Sequence, residues 1–166
     1  MTPIRRVLIA GLIVVANFSW AAESGVSIED RLQITDALAQ YSYRWDSKDS
    51  AEFAQLFTED GEMERWVSGE RVESSVVRGR DAIYDYALQS HQGRLADRQT
   101  RHHFSALTFN AIDSSTVETE NMALITHQTA GAPPTIASSG IYRITWKKTA
   151  EGWLMSKRIL FSDRVE

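Results

Sequence analysis

One acidic residue and a few histidines are the side chains in this sequence best suited to proton transfer. Asp46 directly follows Trp45 at the end of a stretch with helical spacing, and Tyr41 falls on the same predicted helix face. A carboxylate at the rim of an apolar pocket has a raised pKa and can act as a base or orient a histidine. The ordinary alternative is a solvated carboxylate that caps the helix end or the next segment.

His102 and His103 begin a predicted strand, and His127 lies late in the next one. Successive strand residues point to opposite faces, so only one of His102 and His103 can enter a given pocket, and the sequence leaves open which one. A histidine that faces a pocket with a carboxylate behind it forms a general acid/base pair near neutral pH, although strand histidines are more often ordinary surface or core residues. If the pair exists, the Asp46 carboxylate and the imidazole that faces the pocket should approach to about 3 Å, directly or through one water.

A metal site is the rival use of the same residues, because histidine and aspartate also bind zinc and non-heme metals. The sequence has no His-x-His pair and no two histidines four residues apart. It also contains no cysteine, which excludes disulfides, zinc–thiolate sites and thiol nucleophiles. We therefore expect neither a metal nor an organic cofactor.

Arginine and aromatic residues supply the remaining candidates for a pocket. Arg101, Arg143 and Arg158 are possible charge partners for a leaving group or an anionic substrate, and a surface ion pair is the ordinary alternative for each. Aromatic side chains either line an apolar pocket or form plain core. The candidates are Trp66, Phe104, Tyr142 and Trp153.

The elements that must position these residues are helical first and extended afterwards. Ser27 predicts the start of a first helix, Asp49 caps a second, and Gly79 opens a third, which is followed by a polar loop over 91–99. A short strand pair is predicted at 62–67 and 72–77, with a turn at Asp60-Gly61 before it. Longer strands are predicted at 102–112, 116–129, 136–148 and 152–162. This order predicts an α+β domain with helices on one face of a curved sheet.

Composition is typical of one globular domain: the chain has 166 residues, of which 43% are hydrophobic and 24% charged. The net charge is -4 without a basic run, so nucleic acid and anionic membrane surfaces are poor candidate partners. Residues 1–22 have the pattern of a signal peptide, with Arg5 and Arg6 before an apolar run and Ser19-Trp20-Ala21 at the expected cleavage region. We expect a domain of residues 23–166, exported to the periplasm or secreted; an uncleaved N-terminal anchor is the alternative.

Three stretches, taken in order, make the chain resemble the scytalone dehydratase and SnoaL-like family of the nuclear transport factor 2-like superfamily. They are Arg44-Trp45-Asp46-Ser47-Lys48-Asp49, the segment 102–127 with a histidine at each end, and the last hairpin from Lys147 to Trp153. The resemblance extends over residues 28–163. It implies a cone-shaped fold, in which three N-terminal helices pack on a strongly curved, mainly antiparallel sheet of four to six strands and enclose a pocket.

The resemblance also implies roles for individual residues. His102 would act as the base and Asp46 would orient its imidazole, while Tyr41, His127 or Arg158 would assist the leaving group or stabilise negative charge. Arg158 matches an arginine late in the last strand of dehydrochlorinases of this fold, and Tyr41 matches a tyrosine that precedes the aspartate of bile acid dehydratases. The substrate pocket would be lined by Trp45, Trp66, Phe104 and Tyr142.

The implied activity is that of a cofactor-independent, dehydratase-type lyase acting on a small apolar oxygenated substrate, such as a polyketide, terpenoid, steroid or aromatic. An isomerase or cyclase could use the same Asp–His pair, and a non-catalytic ligand-binding or assembly module could share the fold. The chain departs from the family pattern where Trp45 replaces a tyrosine and where Gly140 and Tyr142 replace a serine and an asparagine, so scytalone itself is not expected. Pairing through the outer sheet face, frequent in this fold, implies a homodimer or homotrimer.

Overall fold

The computed structural model describes residues 25–163. The predicted signal peptide, residues 1–22, lies outside the described residues. The described part contains the α-helices α1 (Ile28–Asp46), α2 (Ser50–Gln55) and α3 (Arg80–Gln92), and a short 3-10 helix at Glu73–Ser75. No helix in this part of the chain is long and apolar enough to cross a membrane.

Helix α1 begins where its capping residue predicts. Ser27 Oγ accepts a hydrogen bond from the backbone N–H of Asp30 at 3.1 Å, and acidic residues in the first turn suit the helix dipole. The predicted apolar face is buried. It consists of Ile34, Leu38, Tyr41 and Trp45. Because this face packs against the sheet, it carries Asp46, the last residue of α1, to the edge of the interior.

Helices α2 and α3 begin as predicted, but α3 is longer than expected. Asp49 caps α2 by accepting from the backbone N–H of Glu52 at 3.2 Å. The predicted polar loop over 91–99 is wrong at its start, because His91 still belongs to α3 and is buried. His91 Nδ1 lies 2.7 Å from Ser50 Oγ, and its ring centroid lies 4.8 Å from that of Trp45. A buried histidine needs such a partner, and Ser50 is distant in sequence.

Within residues 25–163, one open sheet of seven strands faces the helices, in the order β2-β1-β7-β6-β5-β4, with β3 also paired to β1. All of these pairs are antiparallel except β1–β7, which is parallel. The strands are β1 (Phe57–Val67), β2 (Glu70–Arg71), β3 (Val77–Arg78), β4 (Arg98–Asp113), β5 (Thr116–Thr129), β6 (Thr135–Thr149) and β7 (Gly152–Ser162). The predicted α+β class, three α-helices and mainly antiparallel sheet are confirmed, whereas the predicted number of four to six strands is too low.

Two local predictions before α3 are wrong. Asp60-Gly61 is not a turn but lies inside β1, where the register against β7 shifts. The predicted strand at 72–77 is instead the 3-10 helix, flanked by the two-residue strands β2 and β3. Ser75 Oγ donates to the carbonyl of Val72 at 2.6 Å and accepts from the backbone N–H of Arg65 at 2.9 Å. Local side-chain hydrogen bonds of this kind compete with a sheet ladder.

The core lies between the helices and the sheet. Phe53 of α2, Trp146 of β6 and Met155 of β7 are fully buried in it, and each contributes about 1.5–3 kcal/mol through the apolar surface it removes from water. Trp146 Nε1 donates to Thr119 Oγ1 at 2.8 Å, so the polar atom of this large side chain is also satisfied.

The opposite face of the sheet exposes several apolar side chains. Met122 and Leu124 of β5 and Ile141 of β6 are exposed, and Met122 pairs directly with Ile141 across the two strands. A cluster of this kind on the outer face is compatible with the homodimer or homotrimer implied by the resemblance. The oligomeric state stays a prediction.

The close approach of β7 to Gly140 leaves no room for a side chain at this position. A Cβ at this position would collide with the backbone carbonyl oxygen of Phe161. Relief would require β6 and β7 to separate, so we expect Gly140→Ala to lower the free energy of unfolding by about 2–3 kcal/mol, measured by urea denaturation. The neighbouring Ser139→Ala adds no atom and should change it by less than about 1 kcal/mol. Equal losses in the two variants would contradict this account.

Candidate active site

Asp46 joins the end of α1 to the edge strand β4. Its Oδ1 accepts from Thr100 Oγ1 at 2.6 Å and lies 2.8 Å from His102 Nδ1, and its Oδ2 accepts from the backbone N–H of His102 at 2.9 Å. The Gln99 side chain donates to the backbone carbonyl of Asp46 at 2.7 Å. Three donors therefore converge on one buried carboxylate, and all of them come from Thr100 and His102.

The hydrogen bonds decide the charge of this carboxylate. Burial raises the pKa of Asp46, but the hydrogen bonds and charge of His102, together with the hydroxyl of Thr100, outweigh burial and hold that pKa below its ordinary value. The raised pKa expected from the sequence is therefore wrong. An ionised carboxylate can only accept hydrogen bonds, so Nδ1 of His102 carries the proton and Nε2 keeps a free lone pair in the neutral imidazole.

His102, and not His103, is the histidine that faces inward. The side chain of His102 is only 4% exposed, and the approach to Asp46 expected from the sequence is present as a direct contact. Its ring meets those of Tyr41 and Phe104 edge-on, with centroids 5.9 and 5.8 Å apart. His103 is exposed on the other strand face, 3.4 Å from Thr126 Oγ1. The alternation of strand residues thus separates the two histidines.

Two cavities meet at His102. The first, here called the inner cavity, has a volume of about 830 Å³. The second, here called the α1–β4 groove, has a volume of about 760 Å³ and runs between those two elements. Asp46 lines the groove but not the inner cavity, whereas His102 lines both. For a molecule in the inner cavity, the imidazole is therefore the group in reach, and the carboxylate lies behind it.

The inner cavity collects most of the side chains singled out from the sequence. Its walls include His102, Tyr41, Trp45, His127, Tyr142 and Arg158. Burial, followed by the positive charges of Arg98 and Arg94, lowers the pKa of His127. His127 is therefore neutral near neutral pH, with one ring nitrogen to donate and one to accept.

Arg158 and Tyr142 occupy the buried end of the inner cavity. The Arg158 guanidinium carbon lies 5.4 Å from the centroid of the Tyr142 ring. Burial raises the pKa of Tyr142 well above its ordinary value, an effect that Tyr41 reinforces, so the phenol stays protonated. Burial lowers the pKa of Arg158, but Tyr41 and Tyr142 outweigh it and hold the guanidinium in its charged form. This end of the cavity is thus a set of hydrogen-bond donors and one positive charge.

Other candidates lie elsewhere. Trp66 lines neither cavity; its Nε1 donates to Glu64 at 2.7 Å and its ring packs on Phe161. Phe104 and Arg101 line the α1–β4 groove and not the inner cavity. Arg143 forms an ion pair with Glu120 at 2.6 Å. Trp153 packs in the core, and its Nε1 donates to Asp30 at 2.9 Å.

Residues 25–163 contain no group of three or more acidic or histidine side chains placed to hold a metal ion.

The sequence-based reasoning missed two polar residues of the site. Thr100 holds Asp46, and its spacing of two from His102 places both on one strand face, which is a signal the sequence does contain. Glu64 lines the inner cavity although it is buried in β1. No local pattern distinguishes Glu64 from its exposed acidic neighbours, because its burial depends on partners distant in sequence.

The chain is similar in sequence and fold to known proteins. A sequence profile described as the SnoaL-like domain matches residues 26–159. No curated protein matches the chain. Rv3472, a protein of unknown function from Mycobacterium tuberculosis, is a similar solved structure, with 26% identity, a TM-score of 0.70 and an alignment over 82% of this chain and 73% of that one.

Two further solved structures share the fold. Aln2 from a Streptomyces species is 24% identical, with a TM-score of 0.72 over 83% of this chain and 93% of its own. A protein from Catenulispora acidiphila, solved in complex with S-DNPA, is 22% identical, with a TM-score of 0.69 over 82% of this chain and 96% of its own. At these identities the likeness shows a common architecture.

The three donors that converge on Asp46 predict that its charge contributes to stability. Asn at this position has one acceptor oxygen for three donors, so we expect Asp46→Asn to lower the free energy of unfolding at pH 7 by about 1–3 kcal/mol. The pKa of Asp46 is lowered, so the stabilisation by its charge is present above the ordinary value of 3.8 and is lost as pH falls through the folded value. Urea denaturation at several pH values should therefore show the two proteins converging in acid. Thr100→Val, which removes one donor, should lower the free energy of unfolding by about 1 kcal/mol. If the difference in stability between the unsubstituted protein and Asp46→Asn grew in acid, the ionised state assigned to Asp46 would be contradicted.

Proposed function

Because the chain belongs to the SnoaL-like domain family, we propose that it is a cofactor-independent lyase that eliminates water or another leaving group from a small oxygenated substrate. The observation that carries this proposal is the direct contact of 2.8 Å between Asp46 Oδ1 and Nδ1 of His102, whose ring lines the inner cavity. A carboxylate behind an imidazole raises the basicity of the other ring nitrogen and stabilises the imidazolium that forms.

The reaction begins with proton transfer to His102. Nε2 takes a proton from a carbon next to a carbonyl group, and the electron pair of the broken C–H bond moves into an enolate. Collapse of the enolate forms a carbon–carbon double bond and breaks the bond to the leaving oxygen. That oxygen receives the proton back from the His102 imidazolium, directly or through Tyr41 or His127, and departs as water. His102 then returns to its neutral form, and the products are water and the unsaturated carbonyl compound.

The buried end of the inner cavity supports the negative charge of this reaction. Arg158 and the hydroxyl of Tyr41 lie there, and donors that are already in place stabilise an enolate oxygen without reorganising solvent. Tyr142 stays protonated beside them and is a further donor. Trp45 contributes an aromatic surface to the wall of the cavity.

The size and lining of the inner cavity favour a ligand of the class expected from the sequence. A volume of about 830 Å³ lies within the range of small-molecule sites, and the walls mix aromatic with polar side chains. The related structure from Catenulispora acidiphila was solved with a small molecule, S-DNPA, which supports small-molecule binding in this fold. An aromatic, polyketide, terpenoid or steroid body fits this description. Isomerisation or cyclisation would use the same proton transfer with a different fate of the enolate.

The test of this proposal compares the two neighbouring histidines. A panel of β-hydroxy ketones with aromatic, terpenoid or steroid bodies is incubated with the protein, and formation of the conjugated enone is followed by its absorbance. His102→Gln should lower kcat/KM by at least about 100-fold, because general base catalysis is lost. Asp46→Asn should also lower it, because the imidazole loses its orienting charge.

His103→Gln is the matched control, since this histidine is adjacent in sequence and exposed, and it lines the α1–β4 groove but not the inner cavity. It should retain the activity of the unsubstituted protein within about twofold, as expected for a surface substitution. Full activity in His102→Gln, or an equal loss in both variants, would remove the proposed mechanism. Binding of panel members without any conversion would instead favour the non-catalytic ligand-binding alternative.

A further inference from the structure

Arg158 is a buried cation without an acidic partner among residues 25–163. It is 8% exposed, and no carboxylate of the described chain lies within ion-pair distance of it. Its Nη1 donates to the backbone carbonyl of Glu64 at 3.1 Å and its Nη2 to the sulfur of Met63 at 3.1 Å, while Nε has no hydrogen-bond partner. A buried charge without a counter-ion is costly, and in a ligand-sized cavity it marks a place where an anion can bind.

The carboxylate of Glu64, whose backbone carbonyl meets Arg158, is already occupied by other groups. Glu64 is 1% exposed, and its carboxylate accepts from Lys157 Nζ at 2.8 Å, Trp66 Nε1 at 2.7 Å and Arg71 Nη1 at 3.4 Å. Burial raises the pKa of Glu64, but hydrogen bonding with Glu62, Lys157 and Trp66 outweighs burial and lowers the value to about 2. Its charge is therefore compensated by Lys157 and Arg71, and it is the backbone of Glu64 that meets Arg158.

The rest of the inner cavity adds positive rather than negative charge. Arg65 and Arg94 also line it, and neither has a carboxylate of the described chain within 4.0 Å. Apart from Glu64, Asp163 is the acidic residue at its walls, and Asp163 is exposed. Arg158 is buried and lies deep in the cavity, whereas Arg94 is exposed and lies toward its opening. The positive charge is least solvated at Arg158.

We propose that the substrate of the inner cavity is an organic anion whose carboxylate binds Arg158. This inference rests on the proposed function for the identity of the reacting group, and it narrows the substrate from an apolar oxygenated molecule to an apolar carboxylic acid in its ionised form. A carboxylate matches the forked guanidinium geometry and supplies the missing counter-charge. A neutral carbonyl would leave the buried cation uncompensated.

Tyr41 connects this anion site to the proposed base. Its ring lies 5.9 Å from that of His102 and 5.8 Å from that of Tyr142, which in turn stacks with Arg158. A molecule anchored by its carboxylate at Arg158 therefore extends along Tyr41 toward His102. The substrate class is then an aromatic or polycyclic acid whose carboxylate lies apart from the carbon that loses its proton. In such a substrate Arg158 holds the carboxylate, and the hydroxyls of Tyr41 and Tyr142 remain as donors for the enolate oxygen.

Binding of a matched ligand pair tests the inference without any turnover. Naphthalene-2-carboxylate and naphthalene-2-carboxamide have the same shape and differ in charge. Isothermal titration calorimetry at neutral pH should show the carboxylate binding the unsubstituted protein at least about tenfold more tightly, as expected for hydrogen bonds to a charged group. Equal affinities, or a preference for the amide, would overturn the proposal.

Three variants locate the preference. Arg158→Gln should bring the two affinities to within about twofold of each other, whereas Arg94→Gln, which removes a cavity cation at the exposed position, should keep the preference. Arg158→Lys retains the charge and should keep part of the preference for the carboxylate. It replaces Arg158→Gln in the comparison if circular dichroism shows that Arg158→Gln does not fold. A preference that survives in Arg158→Gln, or that disappears in Arg94→Gln alone, would overturn the assignment to Arg158.

His102→Gln separates this inference from the proposed reaction, because ligand binding requires no proton transfer. The variant should lose turnover and keep the carboxylate preference. Lost turnover together with equal affinities would overturn the substrate class and leave the mechanism standing. Full turnover together with a carboxylate preference would overturn the mechanism and leave the anion site standing.

Discussion

A single desolvated carboxylate organises this structure. Asp46 is removed from water at the end of α1, so it needs hydrogen-bond donors, and Thr100 together with the backbone and side chain of His102 supplies three of them. The same contacts fix the end of α1 against the edge strand β4. They also set the proton on Nδ1 of the imidazole and leave Nε2 free. Stability and the proposed chemistry therefore depend on the same three hydrogen bonds.

The two other buried charges, Glu64 and Arg158, differ in how far their charge is compensated. Glu64 is surrounded by Lys157, Arg71 and Trp66, which satisfy its carboxylate almost completely. Arg158, only a few atoms away, meets a backbone carbonyl, a thioether and phenols, none of which carries a negative charge. A fully satisfied charge stabilises a fold, whereas an incompletely satisfied one is tolerated where a ligand completes it. The contrast separates the structural network of β1 and β7 from the candidate binding site beside it.

The architecture explains why one fold can serve different reactions. The open sheet and the helices on one of its faces hold the inner cavity, and strand alternation decides which side chains enter it. Family membership accounts for this scaffold, while the reaction depends on the groups placed on its walls. Here those walls combine one imidazole backed by a carboxylate with a cationic, phenol-rich end. Both features concern individual side chains and not the fold.

The sequence by itself determined the features whose causes are local. Ser27 and Asp49 marked helix starts, the spacing of Ile34, Leu38, Tyr41 and Trp45 defined the buried face of α1, and alternation limited the pocket to one of His102 and His103. The order of helices and strands was sufficient for the α+β class, because it reflects local periodicity.

Only the tertiary structure decided which residues are partners. It selected His102 over His103, it reversed the expected pKa shift of Asp46 through His102 and Thr100, and it kept His91 in α3 through a bond to Ser50. It also divided the aromatic and arginine candidates between the inner cavity, the groove and the surface. Burial and charge compensation arise from atoms that are distant in sequence, so no local pattern of residues contains them.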